Sequence, residues 1–198
     1  MRIIAATQNS HKIKEIDAIT SRFGMKLISM KEAGLGQLDI EENGTTFEEN
    51  SLIKAKAITD LTGETSVADD TGLMIAALDG APGVYSARFA GEHGDDAANR
   101  AKVLELMKDV PLEKRTARFV CVITLLRPDG FKIVARGTCE GKIIAEERGE
   151  GGFGYDCIFV PDGYETTFSE MSAEEKNAIS HRARALEILS EECRKAGI

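Results

Sequence analysis

Ser66 through Leu73 reads as a β-branched run that stops at two adjacent acids, Asp69 and Asp70, followed by Thr71 and Gly72. A strand ending in carboxylates presents them at the edge of a sheet, where ligands of α/β proteins sit. Adjacent like charges need a cation or a proton to offset them. A hard divalent cation held through one or two carboxylates is the obvious offset, and Mg²⁺ bound that way goes with a phosphate substrate. A solvated Asp-Asp-Thr-Gly turn has the same composition, so the motif alone leaves both readings open.

Other residues supply the remaining parts of a phosphate chemistry. Glu42, in the acidic turn Glu41 to Thr45, can join Asp69 and Asp70 on one metal. Lys12, Lys54 and Lys176 can carry positive charge to a polyphosphate, with Gln8, Asn9 and Ser10 as donors. Lys54 and Lys56 also fit ordinary surface lysines. Phe153 and Tyr155 can stack a nucleobase, a contact worth about 1–3 kcal/mol, and Asp156 and Arg182 can read its edge. His11, His93 and His181 form no cluster, and Ser86 reads as a structural hydrogen-bonder. No nucleotide-binding P-loop, dinucleotide fingerprint or nucleophile elbow is present.

These residues need elements to hold them. Arg2 to Ala6 reads as a strand, Thr7 to Ser10 as a polar turn, and Ile13, Ile16, Ile19 and Phe23 recur at helical spacing. Lys12 and Lys14 then fall at a helix start, against the macrodipole. Thr46 and Glu49 form a capping box opening a helix to about Leu61, with Phe47, Ser51, Ala55 and Ile58 on one face. Asp95 caps a helix with Ala98, Ala101, Leu104 and Met107 inward. Thr116 to Leu126 is a strand, returned antiparallel by Phe131 to Cys139 across the turn 127–130. Gly149 to Gly154 is a glycine-rich loop, and Ile158 to Val160 a further strand. Ser180 caps a last helix with His181 and Arg182 in its first turn. The fold class is α/β with a mixed sheet.

At 198 residues, with 42% hydrophobic and 29% charged residues, the chain fits one soluble domain. A net charge of −8 opposes a broad nucleic-acid surface. No apolar run is long enough to span a bilayer. Cys121, Cys139, Cys157 and Cys193 lie far apart, which suits neither a zinc site nor a disulfide framework. A cytoplasmic protein is expected, with a small-molecule partner and neither nucleic acid nor membrane.

Four segments taken together resemble the inosine triphosphate pyrophosphatase family, the dITP/XTP pyrophosphatases. They are Ala6 to Asn9 with Lys12; Ala68 to Leu73 with Pro82 to Arg88; Gly152 to Asp156; and Glu175 to Asn177 with Ser180 to Arg182. The resemblance covers essentially the whole chain. It implies a homodimeric, Mg²⁺-dependent enzyme that converts deaminated purine nucleoside triphosphates (ITP, dITP, XTP) to the monophosphate and pyrophosphate. It further implies a single domain, 1–198, of two lobes around a long mixed sheet flanked by helices, with the active site in the cleft between them. Asp70 becomes the catalytic base, and Glu42 and Asp70 the metal ligands. Substrate contacts fall on Thr7, Gln8, Asn9, Ser10, His11, Lys12, Thr71, Phe153, Gly154, Tyr155, Asp156, Lys176, His181 and Arg182, with Lys54 added for the leaving pyrophosphate. Gln8 stands where many members have glycine, Cys157 where proline is usual, and Thr71 where serine is common. The alternatives are a Maf-like pyrophosphatase for modified pyrimidine triphosphates and a non-catalytic nucleotide sensor.

Overall fold

The computed structural model describes residues 2–21, 24 and 26–198. Six strands form one mixed sheet in the order β2-β1-β3-β4-β5-β6: β1 Arg2–Ala5, β2 Lys26–Ser29, β3 Ser66–Ile75, β4 Thr116–Leu126, β5 Lys132–Ile143 and β6 Phe159–Pro161. β1 runs parallel to β2 and β3, and β6 runs antiparallel to β5. The short 127–130 turn, closed by Arg127 N–H to Phe131 C=O at 2.9 Å, can join β4 to β5 only as an antiparallel hairpin. The helices are α1 Ser10–Thr20, α2 Phe47–Thr62, α3 Asp96–Met107, α4 Ala173–Ile179 and α5 His181–Lys195. No helix among the described residues is long and apolar enough to cross a membrane. The chain folds as two compact units: residues 1–70, 121–137 and 182–198 form the first, and 71–120 and 138–181 the second.

In the first unit, alternation along the strands sorts the core into two layers. Ile3, Ala5 and Val67 pack with Ile16 of α1 and with Ala185, Leu186 and Leu189 of α5. Their neighbours Ile4, Ala6 and Ala68 point the other way, against Ala55 and Ile58 of α2. The α2 start follows the capping box, with Glu49 N–H bonded to Thr46 Oγ1 at 3.1 Å and Thr46 N–H to Glu49 Oε2 at 3.2 Å. Phe23 and the side chain of Ile19, two of the expected α1 positions, lie outside the described residues. The second unit has its own core of Leu73, Ile75, Val103, Met107, Phe119, Ile143, Phe159 and Phe168.

Three expectations change. β3 does not stop at the acids; it continues through Asp69 and Asp70 to Ile75, because Leu73 and Ile75 are fully buried core residues and the carboxylates have cationic partners. The buried face of α3 is Asn99, Val103 and Met107, with Leu104 partly buried against the same core; Met107 and Leu104 face inward as expected, whereas Ala101 is exposed. Asn99 goes inward because it accepts from Ala90 N–H at 2.7 Å and donates to Ala87 C=O at 3.3 Å. β5 runs on to Ile143, four residues beyond the expected end at Cys139, its inward residues alternating throughout. All four cysteines are thiols.

Candidate active site

Asp69 and Asp70 are adjacent in β3, so their side chains leave opposite faces of the sheet. Asp69 lies on the α1/α5 face, where its Oδ2 meets Lys12 Nζ and Arg182 Nη2, each at 3.1 Å. Arg182, 1% exposed, also donates from Nη1 to Glu15. Asp70 lies on the α2 face, where Lys54 Nζ stands 3.2 Å from its Oδ1 and 3.0 Å from Glu42 Oε2. Asp69 therefore does not converge with Glu42 and Asp70, and the like-charge conflict is relieved by opposite faces and three cations. Lys54 is no surface lysine: it is 7% exposed. Lys56 is the surface residue, paired with Asp60.

Burial is the largest influence on Asp70 and pushes its carboxyl upward; Lys54 and Lys12 oppose it, Glu42 adds to it, and the result is about 6. For Glu42 burial is again the largest influence and pushes upward, but Lys54, Asp70 and Lys12 together outweigh it and the carboxyl stays below its ordinary value. Burial works against the Lys54 ammonium, yet Asp70, Glu42 and Asp69 together hold it protonated more firmly than usual. Two carboxylates sharing one site thus titrate apart, as acid/base pairs in active sites do.

Asp70 Oδ2 is buried with no hydrogen-bond partner among the described residues, although it sits beside Glu42 on the face that holds Lys54. An orphaned carboxylate oxygen next to a second carboxylate fits a divalent cation. Among the described residues no group of three or more His, Cys, Asp or Glu side chains forms a metal cage. Two carboxylates with the remaining positions left to water and phosphate is the coordination Mg²⁺ prefers over an all-protein cage.

The loop before α1 is organised by Asn9. Its Oδ1 accepts from His11 N–H at 3.0 Å and Lys12 N–H at 3.1 Å, the pattern of a helix N-cap, while Thr7 Oγ1 accepts from Asn9 N–H at 3.2 Å. Gln8 Nε2 donates to Leu38 C=O at 2.7 Å, so its side chain ties down a neighbouring loop. Ser10 and His11 are exposed, and Thr71 is half-buried in β3 directly after Asp70.

Within the second unit, Asp156 Oδ2 accepts from Phe153 N–H at 2.9 Å and from Lys176 Nζ at 2.7 Å. The Lys176 ammonium also lies 4.8 Å from the Phe153 ring centre, a cation–π distance. A Cβ on Gly152 would fall 2.3 Å from Asp156 Oδ2, and its φ is +72°, so this turn admits only glycine. α4 delivers Lys176 through a capping box of Ser172 and Glu175 that the sequence reading did not pick out, although its Ser-x-x-Glu signature was there to read. Phe153 is the half-buried aromatic of the pair. Tyr155 is not a stacking surface: it is 4% exposed, its hydroxyl donates to Ser86 C=O at 2.8 Å, and burial pushes its phenol well above the ordinary value. His181 is buried and stacks on Phe119 at 4.7 Å between ring centres. Ser86 is a structural hydrogen-bonder as expected, accepting from Leu73 N–H and donating to Gly83 C=O.

The chain is similar to known proteins over nearly its full length. Residues 3–192 match the model of the Ham1 family. The dITP/XTP pyrophosphatase of Desulforamulus reducens is 50% identical over 94% of this chain and 92% of its own. That of Clostridium perfringens is 48% identical over 96% of each chain. The solved structure of a HAM1 protein from Coxiella burnetii superposes with a TM-score of 0.88 at 42% identity, covering 98% of this chain and 99% of the other. With the family model spanning both units and both clusters of site residues, this chain belongs to the Ham1 family.

Proposed function

We propose that the protein hydrolyses deaminated purine nucleoside triphosphates (ITP, dITP and XTP) to the monophosphate and pyrophosphate, with Mg²⁺ as cofactor. The names of the relatives support the substrate class. The observation that carries the chemistry is the pair Glu42 and Asp70 on one face of β3, with an orphaned carboxylate oxygen and a buried lysine bridging the two acids. Glu42 and Asp70 would hold the metal, which when bound supplies charge neutralisation on phosphate oxygens and a more acidic water.

Asp70 takes the proton from the attacking water as a positioned general base. Attack is at the α-phosphorus, and pyrophosphate departs with its charge met by Lys12 and Lys54. Asn9, already turned to the α1 amides, keeps that helix start in register for phosphate. Phe153 gives the purine its stacking face, with Gly154, Asp156 and Lys176 around it. Arg182 donates to the 6-keto oxygen of hypoxanthine or xanthine, its plane held by Asp69 and Glu15; adenine offers an amino group there and leaves a donor unpaired, at about 1–3 kcal/mol. The working form is a cytoplasmic homodimer.

Pyrophosphate release with and without Mg²⁺, across ITP, XTP, ATP, GTP, CTP and UTP, tests this reading. Metal-dependent release from ITP and XTP with little from the others is the expected result. Release from pyrimidine triphosphates assigns the protein to the Maf-like chemistry instead, and tight ITP binding without release makes it a sensor.

A further inference from the structure

α3 carries none of the residues assigned to phosphate, metal or base, yet it holds the segment that carries Phe153. Asp96 Oδ2 accepts the Gly154 N–H at 2.8 Å, and Arg100 Nη1 donates to the Gly154 C=O at 3.0 Å. Both main-chain polar groups of one loop glycine are thus held by side chains one helical turn apart, a spacing that puts them on the same face. Arg100 is itself fixed, its Nε donating to Glu147 Oε1 at 2.8 Å. The helix does not need Asp96 as its cap, because Asp95 fills that role by accepting from Ala98 N–H at 2.9 Å. Gly154 has φ +60°, a left-handed conformation that glycine adopts without steric cost. Its preceding residue is Phe153, whose own N–H is bonded to Asp156.

We propose that Asp96 and Arg100 are positioning residues that set the plane of the Phe153 ring for the purine by gripping Gly154 from both sides. The proposal rests on the reading of Phe153 as the base platform. Loosening the grip leaves the phosphate and metal residues of the first unit untouched. Base stacking binds ground state and transition state alike, so its loss raises KM and spares kcat.

The test compares Asp96→Ala, Arg100→Ala and Asp96→Asn with the wild type, using ITP hydrolysis and inhibition by inorganic tripolyphosphate, which has no base. Asp96→Ala and Arg100→Ala are expected to raise KM for ITP about tenfold, with kcat within about twofold and the tripolyphosphate inhibition constant unchanged. Asp96→Asn keeps an oxygen that accepts from Gly154 and is expected to behave as wild type. An unchanged KM in both alanine variants overturns the proposal; so does a fall in kcat at constant KM, or an Asp96→Asn variant as impaired as Asp96→Ala. Hydrogen exchange across residues 151–157 decides the matter independently of turnover. Faster exchange in Asp96→Ala than in Asp96→Asn supports the grip, and equal exchange in wild type and Asp96→Ala removes it. A wild type that exchanges as expected but releases no pyrophosphate from ITP defeats the functional reading and leaves the grip standing.

Discussion

The Lys54 ammonium lies 3.2 Å from Asp70 Oδ1 in a buried setting, so the acid assigned to catalysis has an internal counter-ion before any metal or substrate arrives. That pairing is incomplete compensation: burial still leaves the Asp70 carboxyl raised to about 6. A group in this state is a good proton acceptor and a poor contributor to stability.

Asp70→Asn is therefore expected to cut turnover of ITP by about a hundredfold or more, the range for loss of a general base. Steady-state pyrophosphate release by the folded variant measures it. Turnover near the wild-type value would falsify the assignment of Asp70 as base.

The same substitution is expected to remove a pH dependence from the stability of the metal-free protein. Because the folded carboxyl titrates near 6 and its ordinary value is 3.8, the folded state binds more protons between those values, and stability falls as pH rises through that window. Above about pH 6 the whole of that contribution has been lost. In EDTA, the melting temperature of Asp70→Asn relative to wild type should rise as pH goes from 4 to 8, on top of a pH-independent cost of leaving Lys54 with Glu42 as its remaining close partner. Glu42 has the opposite sign: its lowered carboxyl contributes stability above its ordinary value of 4.5 that is lost on acidification. Glu42→Gln should destabilise at pH 8 and become neutral in acid, so melting curves at several pH values separate the two acids.

Mg²⁺ should raise the melting temperature of the wild type but leave Asp70→Asn and Glu42→Gln nearly unmoved. Saturation at a hundred times the dissociation constant corresponds to about 2.7 kcal/mol. A thermal-shift titration reads this without any substrate, and equal shifts in all three proteins would place the cation elsewhere.

Arg182 carries two loads. Its removal leaves Asp69 and Glu15 short of a buried cation, and breaking a buried ion pair costs about 3–5 kcal/mol. Arg182→Ala should melt roughly 10 °C lower, at about 2–4 °C per kcal/mol for a chain of this size. Assayed below its melting point, it should lose more activity towards ITP than towards ATP. Equal losses on both substrates would confine Arg182 to holding Asp69.

Much of this site could be read from the order of residues. The capping box of Thr46 and Glu49 is a local pattern and fixed the start of α2, hence the phase of the helix that carries Lys54. The Gly152 to Asp156 loop announced itself by glycines at positions whose φ must be positive. Tyr155 misled because a tyrosine after a glycine-rich loop has the same composition whether it stacks a ligand or fills a core. Lys54 misled for a similar reason: periodicity placed it on α2 but could not show that two carboxylates awaited it there. Asp96 and Arg100 had no signal beyond ordinary helix charges.

The sequence by itself determined the element types, the mixed sheet, the family, and the presence of acids, lysines and an aromatic loop in family order, because these rest on contacts within a few residues or on motifs. What only the tertiary structure decided is which charges meet. Neighbouring residues on a strand point to opposite faces, so Asp69 and Asp70, inseparable in sequence, face different helices. One is bound to Lys12 and Arg182 from α1 and α5, and the other to Lys54 from α2, partners 16 to 113 residues distant along the chain. Burial then raised one acid and made the other a structural anchor. No local pattern encodes burial, because it depends on what the rest of the chain stacks on top.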